Sequence, residues 1–259
     1  MLTQEDIDEI IKATQEEVNK YTYPIFVISN DKPDLIASSV IIEIEKKYYL
    51  ITASHVIEEV TSVNTPFSIA IKNNFLKITD IFTCADKNFD IAYVELNSKF
   101  ISKNNIISLK PNRLIPKEVD LAGNNIAFIH GFPNSKNKQK KALFNQKSFR
   151  VKAYAYAGII KNDFSNWDKY DKLKENHTCM SYGKTSNNNT PTNPKGISGG
   201  GLWIVPDISN PKNYYLESIA IEYYKRDSIV IATKILKVIS FIEETSKHST
   251  KKDVILPSN

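Results

Sequence analysis

The chain has 259 residues, and its 34 basic and 29 acidic side chains leave a formal net charge of +5. This length is typical of one large or two small domains, and a hydrophobic content of 41% argues against a disordered chain. No apolar run approaches the roughly 18 residues that a membrane-spanning helix needs, and the small excess of charge by itself predicts no nucleic-acid partner.

Strands dominate the predicted elements, with one helix near each end. Residues 3–20 are predicted to form a helix because four apolar side chains fall on one face, namely Ile7, Ile10, Ile11 and Val18. From Tyr23 onward, β-rich runs predict twelve strands, over residues 25–28, 40–44, 48–52, 67–71, 76–82, 91–96, 126–129, 149–157, 178–182, 202–205, 216–224 and 228–232. Their close spacing favours antiparallel barrels or sandwiches. A last helix is predicted over residues 234–245.

Three short segments carry side chains suited to nucleophilic acyl transfer. An apolar strand ends at Thr52–His55 (Thr-Ala-Ser-His), Asp90 stands directly ahead of another apolar strand, and Ser198 lies within Gly196–Gly200 (Gly-Ile-Ser-Gly-Gly). Acyl transfer needs a hydroxyl, an imidazole that takes its proton, and a carboxylate that fixes the imidazole tautomer. Glycines beside the serine leave room for backbone N–H donors aimed at the developing oxyanion.

Other chemistry has weaker support. The four histidines lack the short helical spacing of a zinc site, and the glycine cluster lacks the lysine of a phosphate-binding loop. Cys84 and Cys179 are too few for a disulfide framework. We therefore expect no metal and no organic cofactor. The acidic start of the chain differs from a secretory signal, so a reducing cytoplasm is the expected location.

These segments resemble the chymotrypsin/trypsin-like serine peptidases, in particular the bacterial-type trypsin-like peptidase domain, in which His, Asp and Ser follow one another in this order. Thr52–His55 is similar to the family's Thr-Ala-Ala-His, and the Asp-Ile-Ala that begins at Asp90 is similar to its Asp-Ile-Ala-Leu. Gly196–Gly200 is similar to its Gly-Asp-Ser-Gly-Gly, and Gly131-Phe132-Pro133 to the Gly-Tyr-Pro of bacterial relatives.

The resemblance covers about residues 23–245, including the C-terminal helix, and implies an all-β fold of two antiparallel β-barrels. The predicted N-terminal helix precedes the first barrel and is not part of the family pattern. Pro111 and Pro116 bracket a polar stretch where a boundary between the barrels is expected. The predicted parts are a helical appendage (1–22), a first barrel with His55 and Asp90 (23–110), a second barrel with Ser198 and the last helix (111–245), and a polar tail (246–259).

Roles for particular residues also follow from the resemblance. Ser198 would be the nucleophile, His55 the general base and then acid, and Asp90 the carboxylate that orients His55. The backbone N–H groups of Gly196 and Ser198 would form the oxyanion hole.

Substrate would contact Thr192, where relatives have the floor of the primary pocket, and a strand formed by Ile221, Glu222 and Tyr223. The two hints on specificity disagree. A neutral Thr192 argues against selection of Arg or Lys, whereas Glu222 would favour a basic side chain. No specificity is assigned.

One departure from the family concerns activation. Ile197 replaces the acidic residue that pairs with a new N-terminus in relatives activated by cleavage, and the Ile-Val-Gly-Gly type of mature terminus is absent. We therefore do not expect activation by N-terminal trimming. The peptidase would be constitutively assembled, or gated by a regulatory protein partner or by loop ordering.

The predicted function is thus a cytoplasmic serine endopeptidase acting on a protein or peptide substrate. Its Lys-, Asn- and Ile-rich composition suggests a bacterial source. The main alternative is a catalytically idle trypsin-like fold used as a protein-binding module. An esterase with the same triad is a further alternative. A nucleic-acid-associated protein using the basic residues 136–141 is a more distant one, since such runs are usually plain surface.

Overall fold

The computed structural model describes residues 3–29, 32–62, 66–71, 74–78, 83–115, 125–137, 151–183 and 193–248. The α-helices are α1 (Gln4–Val18), α2 (Ser54–Ser62), α3 (Ser98–Lys103) and α4 (Ile235–His248). The first seven strands are β1 (Thr22–Ser29), β2 (Lys32–Ile44), β3 (Lys47–Thr52), β4 (Phe67–Ile71), β5 (Asn74–Lys77), β6 (Thr83–Asp86) and β7 (Ile91–Leu96). The other six are β8 (Ile126–Gly131), β9 (Tyr154–Gly158), β10 (His177–Ser181), β11 (Gly201–Val205), β12 (Tyr215–Tyr224) and β13 (Ile229–Lys234).

The first sheet holds β1–β7 in the antiparallel order β5-β4-β1-β2-β3-β7-β6. Its central strands are rich in β-branched residues, which pack well on a pleated surface, and both faces of β3 are buried toward its end. The pairing of β3 with β7 matches Tyr48 with Leu96 and Thr52 with Ala92. Because the two strands are antiparallel, the end of β3 meets the beginning of β7.

The second sheet holds β8–β13 in the antiparallel order β10-β13-β12-β11-β8-β9. Just past β9, Ile160 forms an isolated bridge with Met180 of β10, and the Lys161 amide donates to the Cys179 carbonyl at 2.9 Å. These bonds join the two edge strands of the second sheet. In the described part of the first sheet, no pairing joins its edge strands β5 and β6.

The two antiparallel sheets confirm the predicted all-β class with helices near both ends. Closure of the first sheet into a barrel stays a prediction. None of the helices in the described ranges is long and apolar enough to cross a membrane.

The segment between the sheets contacts both of them. The Leu109 amide donates to the Ile41 carbonyl at 2.8 Å, and the Glu43 amide donates to the Leu109 carbonyl at the same distance. Further along, the Ile115 amide donates to the Leu216 carbonyl of β12 at 3.0 Å. The chain therefore crosses from the first sheet to the second here, while its division into the predicted domains stays a prediction.

Helix α1 packs on elements of the second sheet. It begins with a capping box in which Thr3 and Asp6 exchange hydrogen bonds, as the sequence pattern suggests. Its buried side chains include Ile10 and Val18, and the Thr14 hydroxyl donates to the Pro211 carbonyl at 3.1 Å. These contacts hold the helix on the body of the protein.

Several predicted boundaries were wrong. Strand β3 ends at Thr52, as predicted, but His55 lies in the first turn of α2 rather than at a strand end. Val56, Ile57 and Val60 are all buried and have helical spacing, but the preceding apolar strand run conceals this pattern. Helix α3 was also missed. Of the described residues in the predicted strand 76–82, only the first two are in a strand, where they form the end of β5, and residues 79–82 lie outside the described part of the chain.

Candidate active site

His55 and Asp90 are brought together by the antiparallel pairing of β3 and β7. His55 comes shortly after the end of β3, and Asp90 directly precedes β7, so the two residues lie at the same end of the strand pair. The His55 Nδ1 atom is 2.8 Å from Asp90 Oδ2. The His55 amide and the Ser54 hydroxyl both donate to Asp90 Oδ1, at 3.0 and 2.8 Å.

The backbone of Asp90 is in a left-handed conformation, with φ of +49°. This conformation is uncommon for a residue other than glycine and is strained unless its surroundings hold it. The Asp90 amide donates to the Lys87 carbonyl at 3.3 Å, and the Asp90 carbonyl accepts from the Ser54 amide at 3.1 Å. Main-chain and side-chain bonds thus fix the carboxylate against the first turn of α2.

These contacts shift both pKa values. Burial alone would raise the pKa of Asp90, but hydrogen bonds from His55 and Ser54 and the charge of His55 bring it below the ordinary 3.8. The hydrogen bond to Asp90 raises the pKa of His55 above 6.5, against the opposing effect of burial. With Nδ1–H donating to the carboxylate, a neutral His55 has Nε2 as a proton acceptor.

Removal of the Ser54 hydroxyl is expected to destabilise the protein in a pH-dependent way. A hydrogen bond to a buried carboxylate contributes about 1.5–3 kcal/mol, so Ser54→Ala should lower the free energy of unfolding by about that amount at neutral pH. The folded-state pKa of Asp90 is depressed, so this contribution is present above 3.8 and lost as the pH falls through the folded-state value. The free energies of unfolding of the wild type and of Ser54→Ala, measured with denaturant at several pH values, give this difference.

Ser39→Ala is the matched control for this prediction. Ser39 is equally buried, but its hydroxyl donates to the neutral Tyr23 carbonyl at 3.0 Å. We expect its cost to stay constant from neutral pH down to about pH 3, and an equally constant cost for Ser54→Ala would contradict the prediction.

Ser198 lies in a glycine loop held between the two sheets. Gly199 has φ of +84°, and a Cβ atom there would collide with the Ser38 carbonyl oxygen and with Thr52 Oγ1. On the other side, the Gly199 amide donates to the Ala220 carbonyl of β12 at 2.7 Å. The loop therefore passes directly against the end of β3, three residues ahead of His55.

The hydroxyl of Ser198 points to β12. Its Oγ atom donates to the Ile221 carbonyl at 3.3 Å. Among the described residues, no hydrogen bond joins Ser198 to His55. The structure thus pairs His55 with Asp90 and places the backbone of Gly199, the residue after Ser198, against Thr52, while the Ser198 hydroxyl donates to β12.

The orientation of the peptide planes in the loop turns two N–H groups away from their described neighbours. The Lys195 carbonyl accepts from the Asn134 amide, and the Ile197 carbonyl accepts from the Gly200 amide, both at 2.7 Å. In a trans peptide the N–H points away from the carbonyl. The N–H groups of Gly196 and Ser198 therefore point away from these partners, and within the described ranges neither donates a hydrogen bond. Paired free donors of this kind can bind an anion.

The residues predicted to contact substrate have mixed surroundings. Thr192 lies outside the described residues. Ile221 is buried at a bulge of β12, where the pairing with β13 shifts between Ala220 and Glu222. The ring of Tyr223 packs edge-on against Tyr182, with 5.2 Å between ring centroids.

The Glu222 carboxylate already has partners within the protein. It accepts from the Tyr224 hydroxyl and lies 3.2 Å from Lys172 Nζ. The Lys172 side chain is only 9% exposed. The negative charge of Glu222 is therefore matched by a lysine of the same chain.

Three neighbours of these residues were missed by reasoning from the sequence. Ser54 had a visible signal, since it replaces an alanine of the family motif directly beside His55. Ser38 and Lys172 had none, because a serine in a strand and a lysine in a polar loop are ordinary in sequence. In the part of the chain that the structure describes, no group of three or more His, Cys, Asp or Glu residues is arranged to hold a metal ion.

Comparisons with known proteins give a likeness in structure only. No family model matches the sequence, and no curated protein matches it. The serine endoprotease from Yersinia pestis has a similar structure, with 14% identity and a TM-score of 0.55, over 94% of this chain and 67% of that chain. A second similar structure comes from work on Sesbania mosaic virus that describes the coupled folding and binding of its intrinsically disordered VPg protein. It has 14% identity and a TM-score of 0.51, over 85% of this chain and 89% of that chain. At these identities the likeness shows that the chain has a protease-like fold of two antiparallel sheets.

Proposed function

We propose that the protein is a serine endopeptidase that cleaves peptide bonds through an acyl-enzyme on Ser198, with His55 and Asp90 completing the triad. The observation that carries the proposal is the contact of 2.8 Å between His55 Nδ1 and Asp90 Oδ2. This contact holds the imidazole in the tautomer that leaves Nε2 able to take a proton. The protease-like fold adds support at the level of architecture.

The proposed reaction starts with a rotation of the Ser198 side chain from the Ile221 carbonyl toward His55. Ser198 Oγ attacks the substrate carbonyl while its proton passes to His55 Nε2, and Asp90 stabilises the imidazolium. The oxyanion accepts hydrogen bonds from the amides of Gly196 and Ser198. His55 gives the proton to the leaving amine. A water molecule, deprotonated by His55, then releases the acyl group and restores Ser198.

Substrate would lie along β12 beside Ser198, contacting Ile221, Glu222 and Tyr223, with Thr192 at the primary pocket. Because Glu222 pairs with Lys172 and accepts from Tyr224, a basic substrate side chain would have to share this carboxylate with two partners of the same chain.

Activation without N-terminal trimming is part of the proposal. Ile197 is buried and packs beside Gly131. An isoleucine here offers no carboxylate for a new N-terminus to pair with. Action in a bacterial cytoplasm and control by a regulatory protein stay predictions from the sequence.

A fluorophosphonate probe tests the proposed nucleophile. Such a probe reacts with a serine only when a base and oxyanion donors activate it. We expect the folded wild-type chain to be labelled on Ser198, located by peptide mass spectrometry. The exposed Ser209 is the internal control and should remain unlabelled, as should the heat-denatured chain. Folded protein without label on Ser198 would contradict the proposal.

The alternative is a catalytically idle fold that binds proteins. One observation favours it, namely that Ser198 Oγ donates to Ile221 and not to His55. In that case the probe would not react, and Ser198→Ala would leave the biological function intact.

A further inference from the structure

Ser38 of β2 forms hydrogen bonds with two carbonyls of residues 195–200, which we call the Ser198 loop. Its side chain is fully buried, and its Oγ atom donates to the Gly196 carbonyl at 2.8 Å. The same Oγ accepts from the Phe132 amide at 2.8 Å, so the hydroxyl is used as donor and as acceptor. The Ser38 amide donates to the Ser198 carbonyl at 2.9 Å. One residue of the first sheet thus holds two carbonyl groups of a loop that belongs to the second.

These bonds matter because the loop is rich in glycine and its peptide planes could otherwise turn. Every carbonyl from residue 195 to residue 198 has a donor. The donors for Gly196 and Ser198 come from Ser38, that for Lys195 from Asn134, and that for Ile197 from Gly200. With all four carbonyls accepting hydrogen bonds, the Gly196 and Ser198 amides have no partner among the residues that the structure describes.

Two glycines, Gly131 and Gly199, pack directly against Ser38. A Cβ atom on Gly131 would lie 2.8 Å from Ser38 Oγ, and one on Gly199 would collide with the Ser38 carbonyl oxygen. That carbonyl also accepts from Thr52 Oγ1 at 2.9 Å. Thr52 ends the strand that leads to His55, so Ser38 connects the elements that carry His55 and Ser198.

We propose that Ser38 is a positioning residue that keeps the Gly196 and Ser198 amides directed at the oxyanion, an inference that rests on the proposed peptidase function. Without the hydroxyl, the buried Gly196 carbonyl and the Phe132 amide lose their partner. The peptide between residues 196 and 197 then keeps the bond from the Ile197 amide to the Pro194 carbonyl at 2.8 Å but loses the bond that holds its carbonyl from the side of β2. The effect falls on the transition state, because the negative charge on the substrate carbonyl oxygen develops there and is absent from the bound substrate.

The test compares Ser38→Ala with Ser39→Ala. The two serines are adjacent, equally buried and on opposite faces of β2, and Ser39 donates to the Tyr23 carbonyl away from the loop. We expect kcat for a peptide substrate to fall about 100-fold in Ser38→Ala, as when an oxyanion donor is lost or misplaced, with KM little changed. The affinity for a peptide boronic acid should fall by a similar factor. Ser39→Ala should change neither.

Two further measurements guard against an ambiguous result. Ser38→Cys keeps a similar shape and a weak S–H donor, so it should lose less kcat than Ser38→Ala. Hydrogen exchange of residues 193–202, read by mass spectrometry, should be faster in Ser38→Ala than in Ser39→Ala. Equal kcat or equal exchange in the two alanine variants would overturn the role of Ser38. Since exchange needs no turnover, an inactive wild-type chain would instead contradict the proposed function.

Discussion

Replacement of Ser198 by alanine is expected to lower kcat for peptide hydrolysis by about a millionfold, which is the size of loss seen when the nucleophile of a comparable triad is removed. The reason is that no other hydroxyl of the loop can form the acyl-enzyme. The fold should persist, because the only hydrogen bond of the Ser198 side chain within the described residues is that to the Ile221 carbonyl. Turnover of a fluorogenic peptide and the thermal melting temperature measure both effects.

Ser209→Ala is the matched control for this loss. Ser209 is exposed on the turn between β11 and β12, and its hydroxyl donates to Asp207 at 2.6 Å. This variant should keep wild-type kcat. Retention of hydrolysis by purified Ser198→Ala, with the same sensitivity to inhibitors as the wild type, would exclude Ser198 as the nucleophile.

Replacement of Asp90 by asparagine is expected to lower kcat by about ten-thousandfold, the loss known for this change in a comparable triad. The remaining amide oxygen can still accept from Ser54 and from the His55 backbone. The new NH₂ group would face His55 Nδ1 and donate to it, which moves the imidazole proton to Nε2. Nε2 then cannot take the proton of Ser198.

The pH profile separates this effect from a general loss of structure. In the wild type the pKa of His55 is raised above 6.5, so kcat/KM should fall as the pH drops through that raised value and the base becomes protonated. In Asp90→Asn the hydrogen bond to the carboxylate and its charge are gone, so the midpoint should move to lower pH.

Asp207→Asn provides the comparison. Asp207 also accepts from a serine hydroxyl and a backbone amide, but it lies on the turn between β11 and β12. The kcat of Asp207→Asn and the midpoint of its kcat/KM profile against pH should equal those of the wild type. An unchanged midpoint in Asp90→Asn would contradict the assignment of His55 as the base that Asp90 orients.

Most of the strands could be predicted because their signal is local. The run before Thr52 and the run after Asp90 are apolar and β-branched, and β3 and β7 occupy them with nearly the predicted bounds. The short helix α2 was missed because its first apolar residues directly follow a strand of the same character. A short element between two others is decided by packing rather than by its own propensity.

Only some of the candidate site residues could be identified from the sequence. His55, Asp90 and Ser198 stand in short motifs with a shared chemical logic, so they could be named from the sequence. Ser38 could not, since its function as a hydrogen-bond partner of Gly196 and Ser198 depends on residues about 160 positions further along the chain. The partner of Glu222, Lys172, was hidden for the same reason.

The amino-acid order alone determined the strand-rich class, the helices near both ends, and the three motifs that contain a base, a carboxylate and a hydroxyl, because these depend on side-chain type and on neighbours in the chain. Tertiary structure decided which groups meet. The antiparallel register of β3 and β7 sets the distance from His55 to Asp90, and contact between the two sheets gives the Gly196 and Ser198 carbonyls their hydrogen-bond donors. Hydrogen bonds between distant residues are directional and short, so they follow from the packing of whole sheets and leave no trace in local sequence.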